Sequence, residues 1–327
     1  MKQLLAYCLS IILCVSFTGC MENYLDLYPE DKITSASFPE NESDIKLLLN
    51  GVYAQLREKE VYNQGLFGFG ITDGATPNAF NWGTDEVFNK LGAGRLSSSD
   101  GGVVTYRWKR CYEIISRANY LLACMDLVDL SEEAKAKYSG ETHFLRGLAY
   151  SVLVETYGRV PIILTDISTE EARSLKRASL EETWQQALDD YEVAITNLGV
   201  DAPEPGRATK GAALGMKMRA YLYQGKYKEV LSCVEQIDAL KKYGLFHSYE
   251  GLFDPANENN KEVLFDIQYI EGENSQGSYI DQYCGTGTGS WTRGSRYVPT
   301  DDLVAAYETI DGTERSRIID TTVGRII

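Results

Sequence analysis

Residues 131–161 read SEEAKAKYSGETHFLRGLAYSVLVETYGRVP, and the reading of this stretch decides the fold. Ala134, Tyr138, Thr142, Leu145, Ala149 and Val152 recur at three- and four-residue spacing, the mark of an amphipathic helix. Ser131 can cap its start, because a hydroxyl there accepts an orphan backbone amide of the first turn. Gly158 supplies the left-handed residue that ends a helix, and Pro161 prevents it from resuming. A long helix with a defined start and stop is predicted here.

The same periodicity returns on both sides. Ile45, Leu48, Leu49, Val52, Tyr53 and Leu56 predict an earlier helix with Ser43 as its cap, and Trp108, Cys111, Ile115, Ala118, Leu122 and Met125 line a helix from about Val104 to Leu127. Downstream, Ser179 and Glu182 form a capping box before Trp184, Leu188, Tyr191, Ile195 and Leu198. Trp108 and Trp184 fall on apolar stripes and are expected in the core. Two further helices, Thr209 to Gln224 and about Tyr227 to Tyr243, are joined by Gln224-Gly225-Lys226. That turn resembles the one inside a tetratricopeptide repeat, where aromatic residues on either side of a glycine pack two helices together. Lys217 and Met218 stand where that motif has Leu-Gly. Alternation of Val263, Phe265, Ile267 and Tyr269 predicts one strand. The body is therefore mainly helical.

Charge and motifs exclude several functions. The 327 residues carry 32 Lys+Arg against 47 Asp+Glu, a formal net charge of −15, which opposes contact with nucleic acid or an anionic membrane surface. Two histidines, His143 and His247, leave little for His-based metal or general-base chemistry. Gly68-Phe69-Gly70 with Gly74 places its third glycine one position late for a dinucleotide fingerprint. Asp311-Gly312-Thr313 lacks the alternating acids of a calcium loop. No catalytic residue, metal ligand or cofactor is assigned, and the chain is not expected to be an enzyme.

The N-terminus is an address. Lys2 precedes an apolar run from Leu4 to Phe17, too short for a membrane span of about 20 residues but suited to a secretory signal. Phe17-Thr18-Gly19-Cys20 resembles a bacterial lipobox, so residues 1–19 are expected to be cleaved and Cys20 lipidated. Several acyl chains there would anchor the chain stably to a membrane. Cys111, Cys124, Cys233 and Cys284 then remain, without any CxxC spacing.

Two long segments, Tyr62 to Gly102 and Glu271 to Pro299, are rich in Gly, Ser and Thr and read as loops of the kind that carry function. Sugar rings present apolar C–H faces that aromatic planes bury, while amides and charged groups satisfy the hydroxyls. Trp82 beside Asn78 and Asn81 in the first loop, and Tyr283, Trp291, Arg293 and Tyr297 in the second, are the candidate ligand-binding residues. The two loops are expected to converge on one shallow aromatic platform.

The pieces together resemble the SusD/RagB nutrient-uptake lipoproteins of Bacteroidetes. The matching segments are Tyr24-Leu25-Asp26-Leu27-Tyr28-Pro29 after Cys20, Tyr106 to Leu122 with its Tyr112, Ile115, Arg117, Ala118 and Asn119, Gly140 to Tyr150 followed by Tyr157-Gly158-Arg159-Val160-Pro161, Gly206 to Ala212, and Pro299 to Leu303 with Tyr307, Asp311-Gly312 and Arg315. The resemblance implies a SusD-like scaffold of tetratricopeptide-like helix pairs with long Gly-rich loops and a few short strands. It also implies a non-catalytic, outer-membrane, outward-facing lipoprotein that captures glycans, or peptides, for a SusC-like TonB-dependent transporter. Residues 20–327 would be the helical domain with the start of a C-terminal region at about 260–327, and family members usually continue further, which implies truncation. At the matched positions the residue roles read as structural. Arg146 stands open between an ion pair and a solvated charge.

Overall fold

The computed structural model describes residues 38–57, 75–81, 90–97, 99–101, 103–269 and 297–307. Its elements are α1 (Glu42–Leu56), β1 (Ala79–Asn81), α2 (Val103–Cys124), α3 (Glu132–Tyr157), the short α4 (Thr169–Ser174), α5 (Leu180–Asn197), α6 (Lys210–Tyr223), α7 (Tyr227–Ala239), β2 (Tyr297–Pro299) and α8 (Asp301–Ala306). The long helices pack in a row, α1 on α2, α2 on α3, α3 on α5, α5 on α6 and α6 on α7. Helix pairs stacked on one another form a tetratricopeptide-like, mainly α scaffold.

Local signals set most of the boundaries. Ser131 caps α3, accepting from the Ala134 amide at 3.2 Å, and Gly158 ends it at φ 69°. At α5 the capping box is complete, with Glu182 N donating to Ser179 Oγ at 3.1 Å and Ser179 N donating to Glu182 Oε2 at 2.7 Å. Thr209 caps α6. The cap of α1 is Asn41 rather than Ser43. Asn41 Oδ1 accepts from the amides of Ser43 and Asp44, and Asp44 accepts from Asn41 N in return. An Asn-x-x-Asp box satisfies two donors, so it outcompetes a lone serine two residues later.

Helix α3 is the centre of the molecule. Its sequence predicts one apolar stripe, yet from Phe144 to Val154 every residue is buried, because α1, α2, α5 and α6 all pack against it. Gly147 makes the α3–α5 contact possible: a Cβ there would sit 3.0 Å from Tyr191 Cε1 and 3.1 Å from Asp190 Cβ. Trp184 is buried as expected, Trp108 only partly. Cys111, Cys124 and Cys233 are free thiols in the interior, where a cysteine behaves as a small apolar side chain. Cys284 lies outside the described residues.

Three other expectations change. Helix α7 ends at Ala239 rather than Tyr243, because the chain turns at Lys241 (φ 54°). That turn lets the Tyr243 hydroxyl meet Thr209 Oγ1 at 3.1 Å. The Gln224-Gly225-Lys226 turn is tight, with Gly225 at φ 69°, but only Tyr221 packs on the core, while Tyr223 and Tyr227 are exposed. The helices are joined instead by α6 residues such as Ala220, and Lys217 ties α6 to α5 through an ion pair with Glu192. Finally, residues 263–269 form no strand. Phe265 and Ile267 do turn into the core, Phe265 standing 4.9 Å from Phe144. Their neighbours are helices, however, so there is no ladder to join. The pairing found among the described residues is β1 with β2, antiparallel.

Candidate functional site

Polar groups buried between the helices hold the scaffold on which the loops stand. Arg146, 6% exposed, is not solvated: its guanidinium grips Asp190, with Nη2 donating to Oδ1 at 2.7 Å and Nε donating to both oxygens. Nη1 donates to Asn119 Oδ1 at 2.8 Å, so one buried cation joins α2, α3 and α5. A second cluster ties α1 and α3 to the start of α6. Tyr53 OH donates to Glu141 Oε2 at 2.7 Å and accepts from Ala208 N at 2.9 Å, with the Arg207 guanidinium 4.9 Å from the Tyr53 ring centroid. Burial pushes the Glu141 carboxyl up despite Tyr53 and Arg207, and burial followed by the Glu141 charge pushes Tyr53 well up. Both clusters have every charge paired, and their chemistry is that of support.

The two long loops meet at the β1–β2 clip. Ala79 pairs with Pro299, Phe80 with Val298 and Asn81 with Tyr297, linking segments more than 200 residues apart. Thr300 extends the clip: its amide donates to Asn78 O at 3.0 Å and its hydroxyl to Pro77 O at 2.5 Å. Thr300 also caps α8, accepting from Leu303 N at 3.2 Å. Asn78, Asn81 and Tyr297 are therefore gathered at one place. Asn78 is exposed, and beside it Phe80 is 53% exposed, an aromatic group that the sequence reading did not select. A lone Phe between Ala and Asn carries no periodic signal, so only the pairing reveals it. Cys20, Trp82, Tyr283, Trp291 and Arg293 lie outside the described residues.

Among the described residues, no group of three His, Cys, Asp or Glu side chains could hold a metal ion, and no helix is long and apolar enough to cross a membrane. The described residues form a row of packed helix pairs with one antiparallel pairing, β1 with β2, between distant segments. Residues 23–222, more than half of the chain, match the SusD-like family model described as starch-binding associating with outer membrane. The chain belongs to the SusD-like family.

SusD-like protein P25 of Formosa agariphila is 26% identical over 321 residues, covering 91% of this chain and 58% of that protein. A SusD-like protein from Bacteroides fragilis superposes with a TM-score of 0.74 at 26% identity, over 88% of this chain and 57% of the other. A SusD-like carbohydrate binding protein from the same species gives a TM-score of 0.73 at 28% identity, over 84% of this chain and 54% of the other. The chain thus spans a little over half the length of the relatives it matches.

Proposed function

We propose that this chain is a non-catalytic, lipid-anchored glycan-binding protein of the outer membrane, facing outward, that captures oligo- or polysaccharide and passes it to a SusC-like TonB-dependent transporter. The observation that carries the reading is the match of residues 23–222 to a family described as starch-binding and outer-membrane associated. The carbohydrate-binding description of the 28% identical neighbour supports it. In this reading residues 1–19 are an export signal, Cys20 bears the lipid, and residues from 20 onward form the helical domain leading into a C-terminal region at about 260–327. The binding face lies on the two loops, with Trp82, Asn78, Asn81, Tyr283, Trp291, Arg293 and Tyr297 as its contacts. The β1–β2 clip supports that placement, since it joins the middle of the first loop to the end of the second and adds exposed Phe80.

Native electrophoresis of the intact chain, in detergent, through gels containing starch, laminarin, xylan or mannan tests the reading. Retardation by one polysaccharide is expected, and it should weaken in the Trp82→Ala/Trp291→Ala double variant. Phe80→Ala should weaken it by roughly 2- to 10-fold, the equivalent of about 0.5–1.5 kcal/mol for an aromatic contact. A sharp band that no polysaccharide retards would sink glycan capture and favour peptide uptake. Retardation unchanged in the double variant would move the site away from these loops.

A further inference from the structure

A helix of six residues cannot hold itself in water, because nucleation fixes several residues for a single hydrogen bond. Yet α4 stands away from the core, and every residue from Ser168 to Arg177 is exposed. It belongs to a loop closed at its base, where Ala178 N donates to Val160 O at 2.9 Å. The first limb of this loop is pinned. Tyr112 OH donates to Pro161 O at 2.7 Å and Asn119 Nδ2 to Ile163 O at 3.0 Å. Tyr150 OH donates to Ile163 O at 2.9 Å and accepts from Ile163 N at 2.8 Å. The second limb has its own capping box, with Glu171 N donating to Ser168 Oγ at 3.2 Å and Ser168 N to Glu171 Oε2 at 2.8 Å.

Between α4, the pinned limb and α2 lies a hollow of about 340 Å³. Trp108 and Tyr112 line it from α2, Ile163 and Ile167 from the loop, and Ala172 and Leu175 from the α4 side. The Trp108 ring is held at a fixed tilt, 5.0 Å from Tyr112 and edge-on to Tyr157 at 5.2 Å, with the Arg177 guanidinium 5.8 Å from its centroid. Ser116, Thr165 and Asp166 are the exposed polar members of the lining. Ala172 of α4 and Leu175 at its C-cap thus border open space where a packed core would ordinarily hold a helix this short. The size falls at the lower end of small-ligand sites, roughly 300–1,000 Å³, which suits one sugar ring rather than a long chain. Aromatic and aliphatic walls complement the C–H faces of a pyranose. The hydroxyls of Ser116 and Thr165 and the carboxylate of Asp166 complement its hydroxyl groups.

We propose that the hollow beneath α4 is a second saccharide site, taking a single sugar ring at a chain end or branch, with α4 as its outer wall. The inference rests on the glycan-binding reading but shares no residue with the clip or with the loop aromatics. It tests by fluorine NMR of the intact chain carrying 5-fluorotryptophan at its four tryptophans, with resonances assigned by substitution. The probes are di- and hexasaccharides from starch, laminarin, xylan and mannan, and a Leu- and Phe-containing tripeptide. The Trp108 resonance should move saturably with a saccharide and still move in the Trp82→Ala/Trp291→Ala variant. It should stop moving in Ala172→Phe, which fills the hollow from an exposed position, and need about tenfold more sugar in Asp166→Asn. A silent Trp108 while Trp82 or Trp291 responds overturns the second site and leaves glycan capture standing. Loss of the Trp108 response in the Trp82/Trp291 double variant also overturns it, since Trp108 would then only sense the other site. Response to the tripeptide alone overturns the sugar as occupant, and silence of all four resonances overturns both readings.

Discussion

At the middle of the row, α3 and α5 meet across Gly147, Tyr191 and the Arg146–Asp190 pair, with Asp190 and Tyr191 almost fully buried. At its end, α7 buries Cys233 alone and presents Tyr227, 67% exposed, and Leu231, 63% exposed, to solvent. Both places are built from amphipathic helices of the same period. The difference is in neighbours: α3 has four long helices against it and α7 packs on α6. In stacked helix pairs each unit is stabilised through its interfaces, so stability concentrates where a helix has partners on both sides. The same apolar side chain is a core residue in one place and surface in the other.

The sharpest way to break this contrast is Asp190→Ala. It leaves the buried Arg146 charge with Asn119 in place of a carboxylate, and should lower stability by roughly 3–5 kcal/mol in urea unfolding. Replacing both partners, Arg146→Met with Asp190→Leu, should recover most of that loss, because no unpaired charge then remains. A loss under about 1 kcal/mol for Asp190→Ala would show that apolar packing alone holds the junction. Gly147→Ala comes next. Its new methyl would meet Tyr191 at 3.0 Å, and overpacking should cost about 1–3 kcal/mol by thermal unfolding. A neutral result would mean that α5 moves away without penalty.

Two glutamates carry the comparison into pH. Burial holds the Glu141 carboxyl above the ordinary range, so the folded state binds this proton more tightly than the unfolded chain does. Its contribution to stability is therefore highest below the ordinary carboxylate value and falls as pH rises through the raised one. Ser179 holds Glu182 below the ordinary range, so that contribution is present above the ordinary value and lost as pH falls. Urea midpoints between about pH 3 and 7 should thus lose their alkaline-side decline in Glu141→Gln and part of their acid-side decline in Glu182→Gln. Slopes identical to those of the parent chain would refute the assignment. The smallest effect is expected at the exposed end, where Leu231→Ser should change stability by no more than about 0.5 kcal/mol. A loss of 2 kcal/mol or so would place α7 under cover, against its exposure here.

What was legible depended on range. Ser131, Gly158, Ser179 and Thr209 sit where the sequence puts helix ends, because a cap bonds amides two or three residues away. Where two local signals competed, the stronger prevailed, as with Asn41 over Ser43. Alternation at 263–269 correctly turned Phe265 and Ile267 inward, but a strand also needs a partner, which no period-two pattern supplies. The candidate site was proposed from composition, in Gly-, Ser- and Thr-rich loops that carry Trp82 and Trp291 beside Asn78, Asn81, Tyr283 and Tyr297. Its geometry was not legible: the ladder opposing Asn81 to Tyr297 couples residues 216 positions apart, and exposed Phe80 gains meaning only from it.

The sequence by itself determined that this chain is a row of capped amphipathic helices, that it is acidic, and that its segments resemble the SusD/RagB family. Each of those follows from residues that interact within a turn or two, or from counting. Only the tertiary structure decided that Arg146 is an interior ion-pair partner and not a solvated charge, that α3 is enclosed and α7 open, and that a hollow lies beneath α4. Burial, pairing and empty space belong to what comes to lie alongside a residue, and the neighbours that decide them here stand tens to hundreds of positions away along the chain.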